Sequence, residues 1–173
     1  MSQDKPTDQE LITFQSARFG ELSVAKDSVI EFPSGLIGFP RAKRYVMLDY
    51  KPPFSWLHSI DDAGLAFVVI DGGALAAHFE IRAPYGDRDI DLKDDDEYAV
   101  LVVVTVRPDA RMTTANLKAP LFVNIRNRKG VQVIFDNPNL STRYALWEQS
   151  DEKAEGGTGE SKEATQEANK EKK

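Results

Sequence analysis

The chain has 173 residues, 28 of them acidic and 22 basic, a net charge of −6, two histidines and no cysteine. Without cysteine there is neither a disulfide framework nor a thiolate metal site, and an acidic chain suits a basic protein better than nucleic-acid phosphates. The length is that of one ordinary domain, no basic-then-apolar leader opens the chain, and the longest apolar run, Tyr98 to Val106, is about half of a membrane-spanning helix, so a soluble, cytoplasmic protein is expected.

Residues 1–11 read as a flexible N-terminus, and 12–147 as a single β domain. Leu22 to Val24 and Val29 to Phe32 are short strand-like runs around a turn at Ala25-Lys26-Asp27-Ser28. Next comes Phe32-Pro33-Ser34-Gly35-Leu36-Ile37-Gly38-Phe39-Pro40. Its breakers exclude a regular strand and its large apolar side chains do not suit a solvated loop, so it reads as a tight loop that plugs a β structure or faces a partner. Tyr45 to Leu48 follows, then Phe54 to Ile60, whose near-alternation suits a strand with one wet face. Asp61-Asp62-Ala63-Gly64 is a turn, Leu65 to Ile70 a buried strand, and Asp71-Gly72-Gly73 its end.

His78-Phe79-Glu80-Ile81 reads as a further strand, and Tyr98 to Val106 is the clearest strand of all. Leu121 to Ile125 and Val131 to Phe135 flank Arg126-Asn127-Arg128-Lys129-Gly130, a hairpin in which the glycine takes the left-handed position. Asp136-Asn137-Pro138 then breaks the chain, and Leu140 to Trp147 is expected to form one or two helical turns. About nine short strands with Gly/Pro turns predict an all-β, mainly antiparallel, small β-barrel-like or sandwich domain with a short C-terminal helical turn. From Glu148 to Lys173 there is no Val, Ile, Leu, Met, Phe, Tyr or Trp, so 148–173 is expected to be a disordered, charged tail.

Chemistry-bearing patterns are few. The run Asp87-Arg88-Asp89-Ile90-Asp91-Leu92-Lys93-Asp94-Asp95-Asp96-Glu97 opens like a calcium loop, but Leu92 stands where a glycine is needed and Tyr98 where a bidentate glutamate is needed. It reads as a solvated connection whose Ile90 and Leu92 touch the core, or as a surface for a basic partner. His58 and His78 lack metal-ligand spacing, and His58 is expected at the surface. No nucleophile elbow or phosphate-binding glycine pattern occurs. Glu31 and Glu80 are the acids inside strand-like segments, with nothing to bring them together. Neither an enzyme nor a cofactor or metal is expected. The basic positions Arg126, Arg128 and Lys129 sit on a hairpin tip, too sparse for direct binding of nucleic acid.

Four ordered blocks carry a family resemblance. Phe32-Pro33-Ser34-Gly35-Leu36-Ile37-Gly38-Phe39 resembles the F-x-x-G-L-x-G-F signature of FliW, the flagellar assembly factor. Pro53-Phe54-Ser55-Trp56-Leu57-His58-Ser59 resembles that family's P-F-x-x-L-Q-S, with His58 for the usual glutamine. Leu65-Ala66-Phe67-Val68-Val69 resembles its next apolar strand, and Thr114-Ala115-Asn116-Leu117-Lys118-Ala119-Pro120-Leu121 with Asn124 its T-x-N-L-x-A-P-L-x-x-N. The resemblance implies a non-enzymatic regulator with a small antiparallel β-barrel-like fold. It implies two protein partners: CsrA, a small basic dimer that represses translation of flagellin mRNA, and flagellin, which draws the factor away from CsrA.

For partner contact the sequence singles out Leu36, Ile37 and Phe39 in the Gly/Pro loop, Pro53 and Phe54 at the following corner, and Asp87, Asp89, Asp94, Asp95, Asp96 and Glu97 in the acidic connection. Gly35, Gly38, Asn116 and Pro120 are expected to shape the backbone. The free protein is expected to be a monomer without nucleic-acid or membrane partners. The alternative is a barrel-type RNA- or ligand-binding module.

Overall fold

Side chains alternate across a β-strand, and in this chain both faces of the central strands carry large apolar residues, so both must be covered. The computed structural model describes residues 10–147. Most of the expected flexible start and the whole charged tail lie outside the described residues. The strands are β1 (Leu11–Ser16), β2 (Gly20–Ala25), β3 (Val29–Glu31), β4 (Arg44–Asp49), β5 (Phe54–Ser59), β6 (Ala66–Asp71), β7 (Tyr98–Thr105), β8 (Thr114–Ala115), β9 (Leu121–Asn124), β10 (Gly130–Gln132) and β11 (Tyr144–Ala145). Three 3-10 turns, Lys26–Ser28, Gly72–Leu75 and Ala110–Met112, punctuate them.

The antiparallel sheet runs β10-β9-β7-β6-β5-β4-β3, with β8 on the second half of β7 and β11 on β8. Its ends meet. The Glu31 N–H donates to the Arg128 carbonyl at 2.9 Å, and a parallel bridge joins Glu31 to Lys129. The sheet therefore closes as a small barrel, which removes its edges along that seam. One face of each strand fills the interior: Ile30, Tyr45, Leu57, Val69, Leu101, Leu121 and Val123, capped by Phe32 and Leu36 from the loop after β3.

The opposite face is wrapped by three segments. The β1–β2 hairpin lies over β5, where Phe14 and Phe19 meet His58 and Trp56. The 3-10 turn Gly72–Leu75, Phe79 and the C-terminal residues Leu140, Tyr144 and Leu146 cover Val68, Ile70, Val102 and Val104. Ile90 and Leu92 of the acidic connection cover Val100 and Phe122, as the sequence predicts. Each such buried side chain contributes about 1.5–3 kcal/mol relative to exposure.

Four local expectations are corrected. His78–Ile81 forms no strand: the His78 N–H turns back to the Leu75 carbonyl at 2.9 Å, and Phe79 is buried in the outer cluster. Leu140–Trp147 forms no helical turn, because its backbone pairs with the barrel instead. Tyr144–Ala145 lie in register with Ala115 and Thr114, and the Leu146 N–H reaches the Thr113 carbonyl. An eight-residue segment has too little intrinsic helicity to resist that pairing. In the β9–β10 hairpin the left-handed residue is Arg128 (φ 57°), not Gly130. Gly130 is needed for another reason: a Cβ there would lie 2.5 Å from the Phe32 ring. His58, expected at the surface, is 1% exposed.

Candidate protein-binding surface

The Gly/Pro loop folds back on itself at one end of the barrel. The Gly35 N–H donates to the Phe32 carbonyl and the Phe39 N–H to the Leu36 carbonyl, both at 2.8 Å. Gly35 has φ +72°, and a Cβ there would stand 2.7 Å from the Phe39 carbonyl oxygen, so only glycine fits. Lys43 Nζ holds the Pro33 carbonyl at 2.6 Å. Leu36 is 4% exposed and belongs to the core, anchoring the loop from beneath. Ile37 (55%) and Phe39 (40%) stay exposed, with Phe39 set edge-on to Phe67 at 5.4 Å.

Gln132 fixes the loop tip. Its Oε1 accepts from the Ile37 N–H at 2.9 Å, and its Nε2 donates to the Ala119 carbonyl at 3.1 Å. The first and fourth sequence blocks are thereby joined, and between them lies a groove of about 320 Å³ whose apolar lining includes Leu36, Ile37, Phe67, Val103, Ala119 and Ile134. A second depression, about 560 Å³, separates Gly38–Ala42 from the turn 61–65. Burial alone would raise the Asp61 carboxyl, but the Arg44 and Lys43 N–H groups at 2.8 Å and the Arg44 guanidinium at 2.7 Å outweigh it and hold its pKa below the ordinary value. Behind it, burial, with help from Asp61 and Asp62, pushes the Tyr45 hydroxyl up to about 12, so Tyr45 stays neutral in the barrel.

The acidic connection lies at the other end. Asn124 is fully buried, and its amide nitrogen lies 2.9 Å from Asp96 Oδ2 and 3.2–3.3 Å from the Asp91 and Ile90 carbonyls. Arg126 grips Asp96 through Nε (2.7 Å) and Nη2 (2.9 Å) and reaches the Asp91 carbonyl at 2.9 Å. Those bonds from Arg126, with the Lys93 N–H and Asn124, hold the Asp96 carboxyl far below the usual carboxylate range. Asp96 therefore fastens the connection to the barrel. Asp87 accepts from the Asp89 N–H at 2.8 Å and shapes a turn. Asp94, Asp95 and Glu97 face solvent.

Chain direction fixes how these patches relate. At the loop end β3 stops, β4 starts, β5 stops, β6 starts and β7 stops; the 50–53 corner, the acidic connection and the β9–β10 tip occupy the other end. Tyr98 and Val103, at the two ends, are separated along β7 by about 17 Å of extended chain. The structure thus brings Leu36, Ile37 and Phe39 together, and keeps them apart from Asp87, Asp89, Asp94, Asp95, Asp96 and Glu97. Pro53, after a cis Pro52–Pro53 bond, is exposed, and Phe54 packs into the outer layer. Glu31 sits at the barrel seam and Glu80 pairs with Arg82 at 3.1 Å on the surface, so they form no carboxylate pair.

Sequence reasoning passed over Ile134, which is 62% exposed. Its signal was its phase. Val131, Val133 and Phe135 face the outer apolar cluster, so an isoleucine between them points the other way. Among the described residues no group of His, Asp or Glu is placed to hold a metal, and no helix is long and apolar enough to cross a membrane.

The family model described as FliW protein matches residues 13–146. The chain is 36% identical over 145 residues to the flagellar assembly factor FliW of Natranaerobius thermophilus, covering 82% of this chain and 96% of the relative. It is 34% identical over 145 residues to that of Caldicellulosiruptor bescii (78% and 90% covered) and 31% identical over 138 residues to that of Geobacter sulfurreducens (78% and 86% covered). A crystal structure of the flagellar assembly factor FliW superposes with a TM-score of 0.69 at 29% identity, covering 78% of this chain and 96% of that one.

Proposed function

The chain belongs to the FliW family of flagellar assembly factors, and we propose that it acts there by binding proteins rather than by catalysis: it binds and antagonises the translational regulator CsrA, and it binds flagellin, coupling flagellin synthesis to filament assembly. The observation that carries this reading is the loop end of the barrel. Ile37 and Phe39 are exposed on a segment fixed by Gly35, Lys43 and Gln132, so a partner gains apolar contact without the cost of ordering the loop. At the other end Asp94, Asp95 and Glu97 add an acidic field that would speed encounter with a small basic protein. The setting is the cytoplasm, where translation takes place, and the free protein is a monomer in this reading.

The test mixes the purified protein with CsrA and with flagellin, separately and together, and follows the complexes by size-exclusion chromatography and titration calorimetry. A stoichiometric complex with each is expected, with flagellin displacing CsrA and the CsrA complex weakening as salt rises. Ile37→Asp should cost about tenfold or more in affinity, as loss of a central apolar contact does. Absence of binding to either protein at micromolar concentration sinks the assignment. A gel shift with flagellin leader RNA, with and without CsrA, checks that RNA is not bound directly.

A further inference from the structure

We propose that the groove between the Gly/Pro loop and Ile134 receives an extended segment of a partner protein, in which alternate apolar side chains fill the groove and an acidic side chain pairs with Lys118. The inference rests on the protein-binding reading above and adds the chemistry of what is bound.

Lys118 is the main observation. It is half-buried in the groove wall, and among the described residues its ammonium group has neither an ion pair nor a hydrogen bond. Its backbone is committed: the N–H donates to Asn116 Oδ1 at 3.1 Å, and the carbonyl accepts from the Phe135 N–H at 2.9 Å. Lys118 is the one basic residue in the lining of this groove. A half-buried cation in a groove also lined by Ile37, Phe67, Val103 and Ile134 is screened less by water than a fully exposed lysine and attracts a carboxylate more. The groove continues past Lys118 and Thr142, which it shares with a depression of about 330 Å³ lined by Pro138, Asn139 and Ser141. The trough is therefore apolar at one end and polar at the other, with the positive charge between.

The backbone argues for an extended occupant. The Val133 N–H donates to the Pro120 carbonyl at 3.0 Å and the Phe135 N–H to the Lys118 carbonyl at 2.9 Å. Along an extended chain the intervening N–H and C=O of Ile134 point the opposite way, and among the described residues they make no hydrogen bond. An added strand would satisfy them and set every second side chain into the groove. The tail of this chain does not fit, since 148–173 holds no large apolar residue.

The test is an amide NMR titration of the full chain with a capped peptide whose alternate positions are valine, aspartate and valine, with serine between them, and with its counterpart carrying asparagine for the aspartate. Shifts at Ile37, Lys118 and Ile134 are expected, with the aspartate peptide binding about fivefold to tenfold tighter, the range of a partly desolvated charge pair. Lys118→Met should abolish that preference while leaving the spectrum of the free protein folded. No shift at these residues at millimolar peptide, or a preference that survives Lys118→Met, overturns the proposal. So would the same shifts appearing without peptide as concentration rises and a dimer sediments, since a second copy would then occupy the groove. Binding of CsrA and flagellin is measured in parallel on wild type. If both bind and the peptide does not, this inference fails and the proposed function stands; if the peptide binds and neither protein does, the reverse holds.

Discussion

Gly130 lies directly over the ring of Phe32: a Cβ built on the glycine would stand 2.5 Å from Phe32 Cε1 and 2.7 Å from Cζ. The contact sits at the barrel seam, beside the Glu31–Arg128 hydrogen bond, where the first and last strands of the sheet meet. Phe32 is fully buried and caps the interior. Closure of the barrel and the position of the Gly/Pro loop therefore depend on one missing methyl group.

Gly130→Ala should destabilise the fold by about 1–3 kcal/mol, the usual cost of overpacking. Urea denaturation measures it. Phe32→Leu in the same chain should recover part of the loss, because the two positions share one contact. Additive losses would show that the ring is not what the new methyl meets.

Gly35 and Gly38 should respond differently to alanine. Both have positive φ, +72° and +86°, but a Cβ at Gly38 meets nothing within 4 Å, whereas at Gly35 it meets the Phe39 carbonyl and Pro40 at 2.7–2.8 Å. Gly38→Ala should cost only the left-handed penalty, about 1–2 kcal/mol. Gly35→Ala should cost more and speed hydrogen exchange at the Phe39 amide, which is bonded across the loop. Equal effects at the two sites would contradict the geometry.

His58 ties the N-terminal hairpin to the barrel. Its Nδ1–H donates to the Ser59 carbonyl at 2.6 Å, so in the neutral ring Nε2 accepts from the Ser16 hydroxyl at 2.8 Å, and Ser16 Oγ in turn accepts from the Arg18 and Phe19 N–H groups at 3.1 Å. His58→Leu leaves the serine proton without an acceptor and should cost about 1–3 kcal/mol. Exchange protection across 11–25 should fall with it. His58→Gln, which restores the residue usual in the family motif, should lose much less.

Asp96 makes the fold sensitive to acid. Its carboxyl is held below its ordinary value of 3.8, first by Arg126, then by the Lys93 N–H and Asn124, against the opposing effect of burial. A depressed carboxylate pKa stabilises the folded state above the unfolded value, and that contribution is lost as pH falls through the folded value. Melting temperature should therefore drop steadily below about pH 4, the range in which an unfolded aspartate takes up its proton. Asp96→Asn should start from a lower melting temperature at pH 7 and show a shallower acid decline. A parallel pH profile for the variant would remove Asp96 from this role.

Much of the fold is legible in the chain because strands are local in their signal. Tyr98 to Val106 and Leu65 to Ile70 are bounded by turn residues and too short for helices, and both are strands within a residue or two of the expected limits. The loop after β3 was also recognisable, since breakers and aromatics rarely occur together without a structural reason. Leu140 to Trp147 failed for the complementary reason: its helical character is weak, and pairing with β8, some thirty residues away in sequence, outweighs it.

The candidate surface was legible only in pieces. Residue types put Ile37, Phe39 and the acids forward for partner contact and left Phe39 between core and interface; Ile37, Phe39, Asp94, Asp95 and Glu97 are exposed. Their division between opposite barrel ends, the burial of His58, the capture of Asp96 by Arg126 and the gathering of Ile134 and Lys118 beside the loop all depend on contacts between distant segments. Spacing along a chain sets which side chains share a strand face, and that much the sequence determined alone. Which faces meet, and which groups are left without a partner, is decided when the sheet closes, because closure brings together residues such as Ile37 and Gln132 that have no local relation to one another.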